Sequence, residues 1–211
     1  MLEVDIDPGL PAALAPVTSL LQNSDLGEGL VDIGNGIQLH AEHPQWQSDI
    51  LWISQRDRAG YDYFEGIFNT QGLAQAVSDR IAYDSRIVMY SGFFVTRRAC
   101  SQADLHCDWL GGNNDAFTLI APLTENCGEL GLAYRTLRNE VAHYDYKLGK
   151  GLIFGDHFLH STAPGEASGT TVLLTISFGT DRMDNWANIA KTAAKQGIFH
   201  CQPDGQFISN G

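Results

Sequence analysis

The tripeptide His106-Cys107-Asp108 sets two metal-ligating side chains two residues apart, and on a strand that spacing turns both to one face. One more histidine from elsewhere in the chain would complete a two-histidine, one-carboxylate set. Such a set covers one face of an iron ion and leaves three coordination positions open, which suits a centre that must hold a co-substrate and activate dioxygen. These residues point to an enzyme. The same spacing recurs at His143-Tyr144-Asp145, as chance allows in a chain with 7 histidines, so the surroundings must choose between the two pairs.

The segment Gly155-Asp156-His157-Phe158-Leu159-His160-Ser161-Thr162-Ala163-Pro164-Gly165 offers two third ligands. If residues 158–161 form a strand, His160 lies inside it and His157 in the preceding turn, and a regular element holds a ligand better than a turn does. His160 is therefore preferred. Between Asp108 and His160 there is room for about four or five strands, whereas Asp145 and His160 are separated by only one hairpin. That favours His106 and Asp108, and leaves His143 and Asp145 as ordinary strand residues. His40 and His43 have no carboxylate at ligand spacing and read as loop or surface histidines. Strand alternation would aim Cys107 away from the metal.

The elements that must position these ligands are mostly strands. After Ile87-Val88-Met89-Tyr90 and Gly92-Phe93-Phe94-Val95-Thr96, strand-like runs at 116–123, 131–135, 143–148, 151–154, 158–161 and 171–178 alternate with Gly- and Asn-rich turns. About eight short strands at regular spacing suggest a sheet closed on itself. A helix is expected from Thr70 as N-cap, with Leu73, Ala74, Val77 and Ile81 on one stripe. A second is expected over 183–196, with Trp186, Ile189, Ala190 and Ala193 on one face and Gly197 as its stop. The first 60 residues, rich in Gly, Pro and Asp, read as irregular structure with a few strands. The expected organisation is one domain over 1–211, with a β core at about 86–182, N-terminal support over 1–85 and the C-terminal helix.

The 211 residues suffice for a substantial core, and 44% hydrophobic with 18% charged residues is ordinary for a globular chain. A net charge of -12 argues against a phosphate-binding groove or an anionic membrane surface as partner. The start of the chain lacks a basic region followed by an apolar one, and no long apolar run occurs, so a cytoplasmic location is expected. Cysteines at 100, 107, 127 and 201 show neither zinc-finger spacing nor a disulfide framework.

The ordered set of a strand, His106-x-Asp108, a run of short strands, then Phe154-Gly155-Asp156-x-x-x-His160-Ser161-Thr162 and a β-rich segment ending Ser177-Phe178-Gly179-Thr180 resembles the Fe(II)/2-oxoglutarate-dependent dioxygenases. The resemblance is to the branch similar to phytanoyl-CoA hydroxylase, over about residues 86–182. It implies a mainly β, double-stranded β-helix (jelly roll, cupin-like) with supporting helices, and iron held by His106, Asp108 and His160. It also implies hydroxylation of an unactivated carbon, with 2-oxoglutarate as co-substrate. Asp108 departs from related halogenating enzymes, which have a small residue there.

In that branch an arginine about ten residues after the distal histidine pairs with the far carboxylate of 2-oxoglutarate. Here Thr170 and Thr171 stand at that place, and no Arg or Lys lies between His160 and Arg182. A buried dicarboxylate needs a cation, and Arg98, on the preceding strand, and Arg135 are the candidates. Arg97 would point opposite to Arg98, and arginine suits a two-point carboxylate contact better than Lys147 or Lys150. Thr162, two after the distal histidine, matches a hydroxyl that related enzymes place against the same carboxylate. Tyr90, Thr118, Tyr134 and Trp109 are possible pocket liners. The expected substrate is a small molecule or a carrier- or peptide-linked metabolite. The alternatives are a jelly-roll metal oxygenase that needs no 2-oxoglutarate and a binding protein without catalysis.

Overall fold

In a computed structural model, which describes residues 1–23, 26–44 and 49–209, two strands form the spine. They are β5 (Ile87–Cys100) and β11 (Gly165–Thr180), paired antiparallel along nearly their whole length. Both are rich in β-branched and aromatic residues, which fit a pleated, buried surface. Beyond β11 lie β6 (Ala116–Pro122), β9 (Lys150–Phe154) and β1 (Leu2–Asp5), and beyond β5 lie β4 (Ile50–Gln55), β3 (Gln38–Glu42) and β2 (Gly29–Asp32). Facing this sheet is a small one in the order β10 (His160–Thr162), β7 (Leu132–Arg135), β8 (Val141–Tyr144). The two sheets make a jelly roll.

Strand alternation divides the spine into two faces. On β11, Val172, Leu174, Ile176 and Phe178 are fully buried in the main core, and Phe178 meets Phe68 of α3 (Arg58–Thr70) at 5.4 Å between ring centroids. The other face carries Thr171, Leu173, Thr175 and Ser177 and looks between the sheets. On β5, Phe94 packs on Phe64 of α3 at 5.1 Å. At Gly92 a Cβ would stand 2.5 Å from the Phe64 Cβ, so only glycine lets α3 come this close. A smaller core of Cys127, Leu132, Tyr146, Leu152 and Phe154 fills the space between the sheets.

The supporting helices differ from the expectation. Thr70 ends α3 instead of opening a helix: its hydroxyl donates to the Gly66 carbonyl at 2.7 Å. The chain then breaks at Gly72, left-handed at φ +62, before the short α4 (Leu73–Val77). The true cap is Asp57, whose carboxylate accepts from the Gly60 amide at 3.0 Å. The first 60 residues also hold two helices, α1 (Leu10–Ala13) and α2 (Ala15–Asn23). Pro11 and Pro16 lie in their first turns, where a missing N–H costs nothing. At the other end α5 (Trp186–Gln196) stops at Gly197 and leads into a hairpin of β12 (Phe199–Cys201) and β13 (Phe207–Ser209). No helix among the described residues is long and apolar enough to cross a membrane.

Candidate metal centre

His106 and His160 are joined as an isolated antiparallel bridge, each amide donating to the other's carbonyl at 3.0 and 2.9 Å. A pair bonded in this way sends both side chains to one side, and the two imidazole rings lie 4.8 Å apart. Each ring is oriented by its own turn. His106 Nδ1 lies 2.8 Å from the Asp104 carbonyl, and His160 Nδ1 lies 3.1 Å from that of Phe158. With Nδ1 as donor, Nε2 carries the free lone pair, the arrangement that a metal-binding histidine needs.

Asp108 comes to the same point. Its Oδ1 is 3.7 Å from His106 Nε2 and 3.8 Å from His160 Nε2, and one ligand atom from each of the three lies within 4.8 Å of the others. Among the described residues this is the one such cluster of metal-ligating side chains. Its other oxygen, Oδ2, accepts from the Thr118 hydroxyl at 2.8 Å, and that hydroxyl in turn accepts from Trp109 Nε1 at 2.9 Å. Thr192 of α5 donates to the Asp108 main-chain carbonyl. The carboxylate is thus braced from β6 and from α5. Burial pushes the pKa of His160 down, opposed by the Asp108 carboxylate and assisted by His106, so the ring is held in the neutral, ligating form. Two oriented imidazoles and one braced carboxylate fit a divalent iron.

Residues 101–110 form no strand beyond the single bridge at His106. The alternation expected to turn Cys107 away does not operate, and Cys107 lies half-buried in the wall of the cavity beside the ligands. That cavity, about 320 Å³, is walled largely by Trp52, Phe93, Val95, Ile120, Leu132 and Leu173, and Thr162 also faces it. His157, exposed at φ +60, and Tyr134 line a separate surface groove. His143 and Asp145 are exposed, His143 on β8. Tyr90 and Trp109 are core residues; the Tyr90 hydroxyl donates to the Thr180 carbonyl at 2.8 Å.

Neither expected carboxylate clamp reaches the cavity. Arg98 shares the helix-side face of β5 with Phe94 and Thr96 and is exposed. Arg135 is also exposed, on the separate groove, with Nη1 donating to the Asn139 carbonyl and side-chain oxygen at 3.0 and 3.1 Å. Arg97 points inward instead. It pairs across the sheet with Thr171, the place where an arginine had been sought, and its side chain is 4% exposed. Nε donates to the Ala99 carbonyl at 2.8 Å and Nη2 to Asp49 Oδ2 at 2.7 Å, while Nη1 is buried without a partner. It lines a recess that shares Val95, Tyr146, Thr162 and Leu173 with the metal-side cavity. The Arg97-Arg98 doublet is visible in the sequence, but which of the two faces in depends on where α3 packs.

No family model and no curated protein matches the chain by sequence. Solved structures do match by shape. HygX from Streptomyces hygroscopicus, with nickel and 2-oxoglutarate bound, is similar at a TM-score of 0.54 and 11% identity, over 85% of this chain and 82% of that one. The non-haem α-ketoglutarate-dependent epimerase SnoN of nogalamycin biosynthesis is similar at 0.59 and 10% identity, over 85% and 78%. The carbocyclase SnoK of the same biosynthesis is similar at 0.53 and 10% identity, over 85% and 79%. The chain shares their fold.

Proposed function

We propose that this chain is a non-haem Fe(II)/2-oxoglutarate-dependent oxygenase, of the kind similar to phytanoyl-CoA hydroxylase, that hydroxylates an unactivated carbon of a small molecule or of a carrier- or peptide-linked metabolite. The observation that carries the reading is a cavity with a His-Asp-His ligand set on one wall, beside a recess that shares four lining residues with it and holds an unpartnered, buried guanidinium nitrogen. His106, Asp108 and His160 would hold the iron. Arg97, oriented by Asp49 and Ala99, would take the far carboxylate of 2-oxoglutarate, with the Thr162 hydroxyl beside it. An unpaired donor at a buried cation is costly, and a carboxylate is its natural complement. When bound, iron and 2-oxoglutarate supply an oxidant derived from dioxygen, the co-substrate leaving as succinate and carbon dioxide.

The protein's own part is to fix the ligands, align the co-substrate between metal and Arg97, and enclose the reacting carbon in apolar walls. A jelly-roll oxygenase that needs no 2-oxoglutarate gained its support from the basic residue missing after His160, and Arg97 on the neighbouring strand meets that objection. The test is anaerobic visible spectroscopy with Fe(II) and then 2-oxoglutarate, following the charge-transfer band of a chelated keto acid. The band is expected in the wild type and absent in His160→Ala. In Arg97→Gln, iron binds as before and 2-oxoglutarate affinity falls about 100-fold, the scale for removing one partner of a buried charge pair. Bound iron with no band at any 2-oxoglutarate concentration would sink the reading.

A further inference from the structure

The end of the cavity away from Arg97 is lined by α5, and beyond Thr192, which braces Asp108, the polar groups there have no part in holding metal or co-substrate. Gln196, 5% exposed, lines this end. Its Oε1 accepts from the hydroxyls of Ser177 at 2.5 Å and Ser91 at 3.4 Å, both on the floor of the large sheet. That fixes the amide plane and leaves Nε2 with no partner among the described residues. Thr175 stands two residues before Ser177 on the same face of β11 and is 3% exposed, and its hydroxyl is buried without a partner. Lys195 lies at the mouth, exposed, with no hydrogen bond or ion pair among the described residues.

Thr175, Gln196 and Lys195 thus make a line of donors from the cavity floor to the mouth, one of them cationic. The wall beside them is apolar: Ile50, Trp52 and Phe93 line it, with the Trp52 and Phe93 rings 5.5 Å apart. Asp104 and Asp108 are the acidic groups on the metal side, and among the described lining residues Lys195 on α5 is the cationic one. Carboxylate and phosphate oxygens accept from such donors, whereas a substrate ammonium would be repelled by Lys195.

We infer that the last turn of α5 is the recognition site for an oxyanion on the substrate, so that the substrate is an apolar molecule ending in a carboxylate or phosphate, held by Lys195 and Gln196 with its apolar body against Trp52 and Phe93. This rests on the proposed function, because it takes the Arg97 end to be filled by 2-oxoglutarate. The cavity is at the small end of ligand sites. With a co-substrate inside, only one end of a substrate fits beside the metal.

The experiment uses the full chain loaded with Ni(II) and saturating 2-oxoglutarate, each followed by its own calorimetric isotherm. Four probes with the same phenylpropyl body are then titrated: 4-phenylbutanoate, 3-phenylpropylphosphonate, 4-phenylbutanamide and 3-phenylpropylamine. Both anions should bind more tightly than the amide and the amine. Lys195→Gln should weaken the anions about fivefold, the scale of one solvent-exposed ion pair, and leave the amide unchanged. Lys195→Glu should place the amine first. Thr175→Val, which keeps shape, should weaken all probes that carry an acceptor oxygen. Equal affinity for amide and anion, an anion preference that survives in Lys195→Gln, or no binding of any probe at millimolar concentration would each overturn the inference. Failure of nickel or 2-oxoglutarate to load would count against the proposed function instead. In that event the same probes on the metal-free protein decide, because Lys195→Glu must still reverse the preference.

Discussion

At the scale of single residues, Thr118 links the core to the candidate metal centre. Its hydroxyl accepts from Trp109 Nε1 and donates to Asp108 Oδ2, so the carboxylate is held by a chain that begins in the buried indole. Thr118→Val keeps the shape and removes both bonds, and should lower Fe(II) affinity about tenfold, as loss of a residue supporting a metal ligand does. A competition titration against a chelator measures it. Trp109→Phe cuts only the first bond; it should cost about 1 kcal/mol of stability and change metal affinity far less. An equal loss of affinity in the two variants would mean that packing around the indole, and not the Thr118–Asp108 bond, sets Asp108. The three candidate ligands were readable from residue type and order, although the strand expected at 106–108 is a single bridge at His106. Their support was not, because the register of β6 against the irregular 101–110 segment decides which hydroxyl meets Asp108. The arginine shows the same limit: alternation separates Arg97 from Arg98, but a phase error of one residue turns every side chain to the other face. The doublets Phe93-Phe94 and Arg97-Arg98 look alike in either phase.

At the scale of elements, close backbone approaches set that phase. At Gly179 a Cβ would lie 2.1 Å from the Asp115 carbonyl and 2.9 Å from the Ala116 Cα, both backbone atoms that cannot move aside alone. Gly179→Ala should therefore cost about 3 kcal/mol by pushing β11 from β6, visible as a lower urea midpoint. One residue beyond β11, Asp181 ties the end of β11 to the start of β5 by accepting the amides of Asp84, Ser85 and Arg86 at 2.7, 2.7 and 2.9 Å. Burial works to raise its pKa, but the three amides together outweigh it and hold the carboxyl below its usual range. Asp181→Asn keeps one acceptor and should destabilise by about 1–2 kcal/mol, with equilibrium unfolding as the measure. The strands from β5 onward were legible because alternation and turn residues carry their signal locally, whereas β1 to β3 of the same sheet lie in the stretch that reads as irregular. The helices were less so. Proline in the first turns of α1 and α2 reads as a breaker in composition but as a helix start in position, and the stripe at 73–81 holds only the short α4 beyond the break at Gly72, while the longer α3 opens at Asp57 in a segment that reads as irregular.

At the scale of the molecule, the jelly roll separates two tasks between the faces of one sheet. The convex face buries Val172, Leu174, Ile176 and Phe178 against the helices, while the concave face spends positions on Thr171, Thr175, Ser177 and Arg97. Stability therefore rests mainly on the helix side, and polar groups buried outside the site reveal themselves through pH. His200, in the β12–β13 hairpin, is 3% exposed, its Nδ1 has no partner, and burial lowers its pKa. The folded protein refuses a proton that the unfolded chain accepts below about pH 6.5, so stability is full above that pH and is lost as pH falls from it toward the depressed folded value. His160 adds a slope of the same sign in the metal-free protein, and Asp181 acts only at lower pH, where its own carboxyl begins to protonate. The difference between wild type and His200→Phe, both metal-free, isolates His200. Between pH 7 and 5 the wild type should lose stability more steeply than the variant, measured by urea unfolding at each pH. Parallel curves would mean that His200 finds a proton acceptor on folding and does not contribute to acid sensitivity.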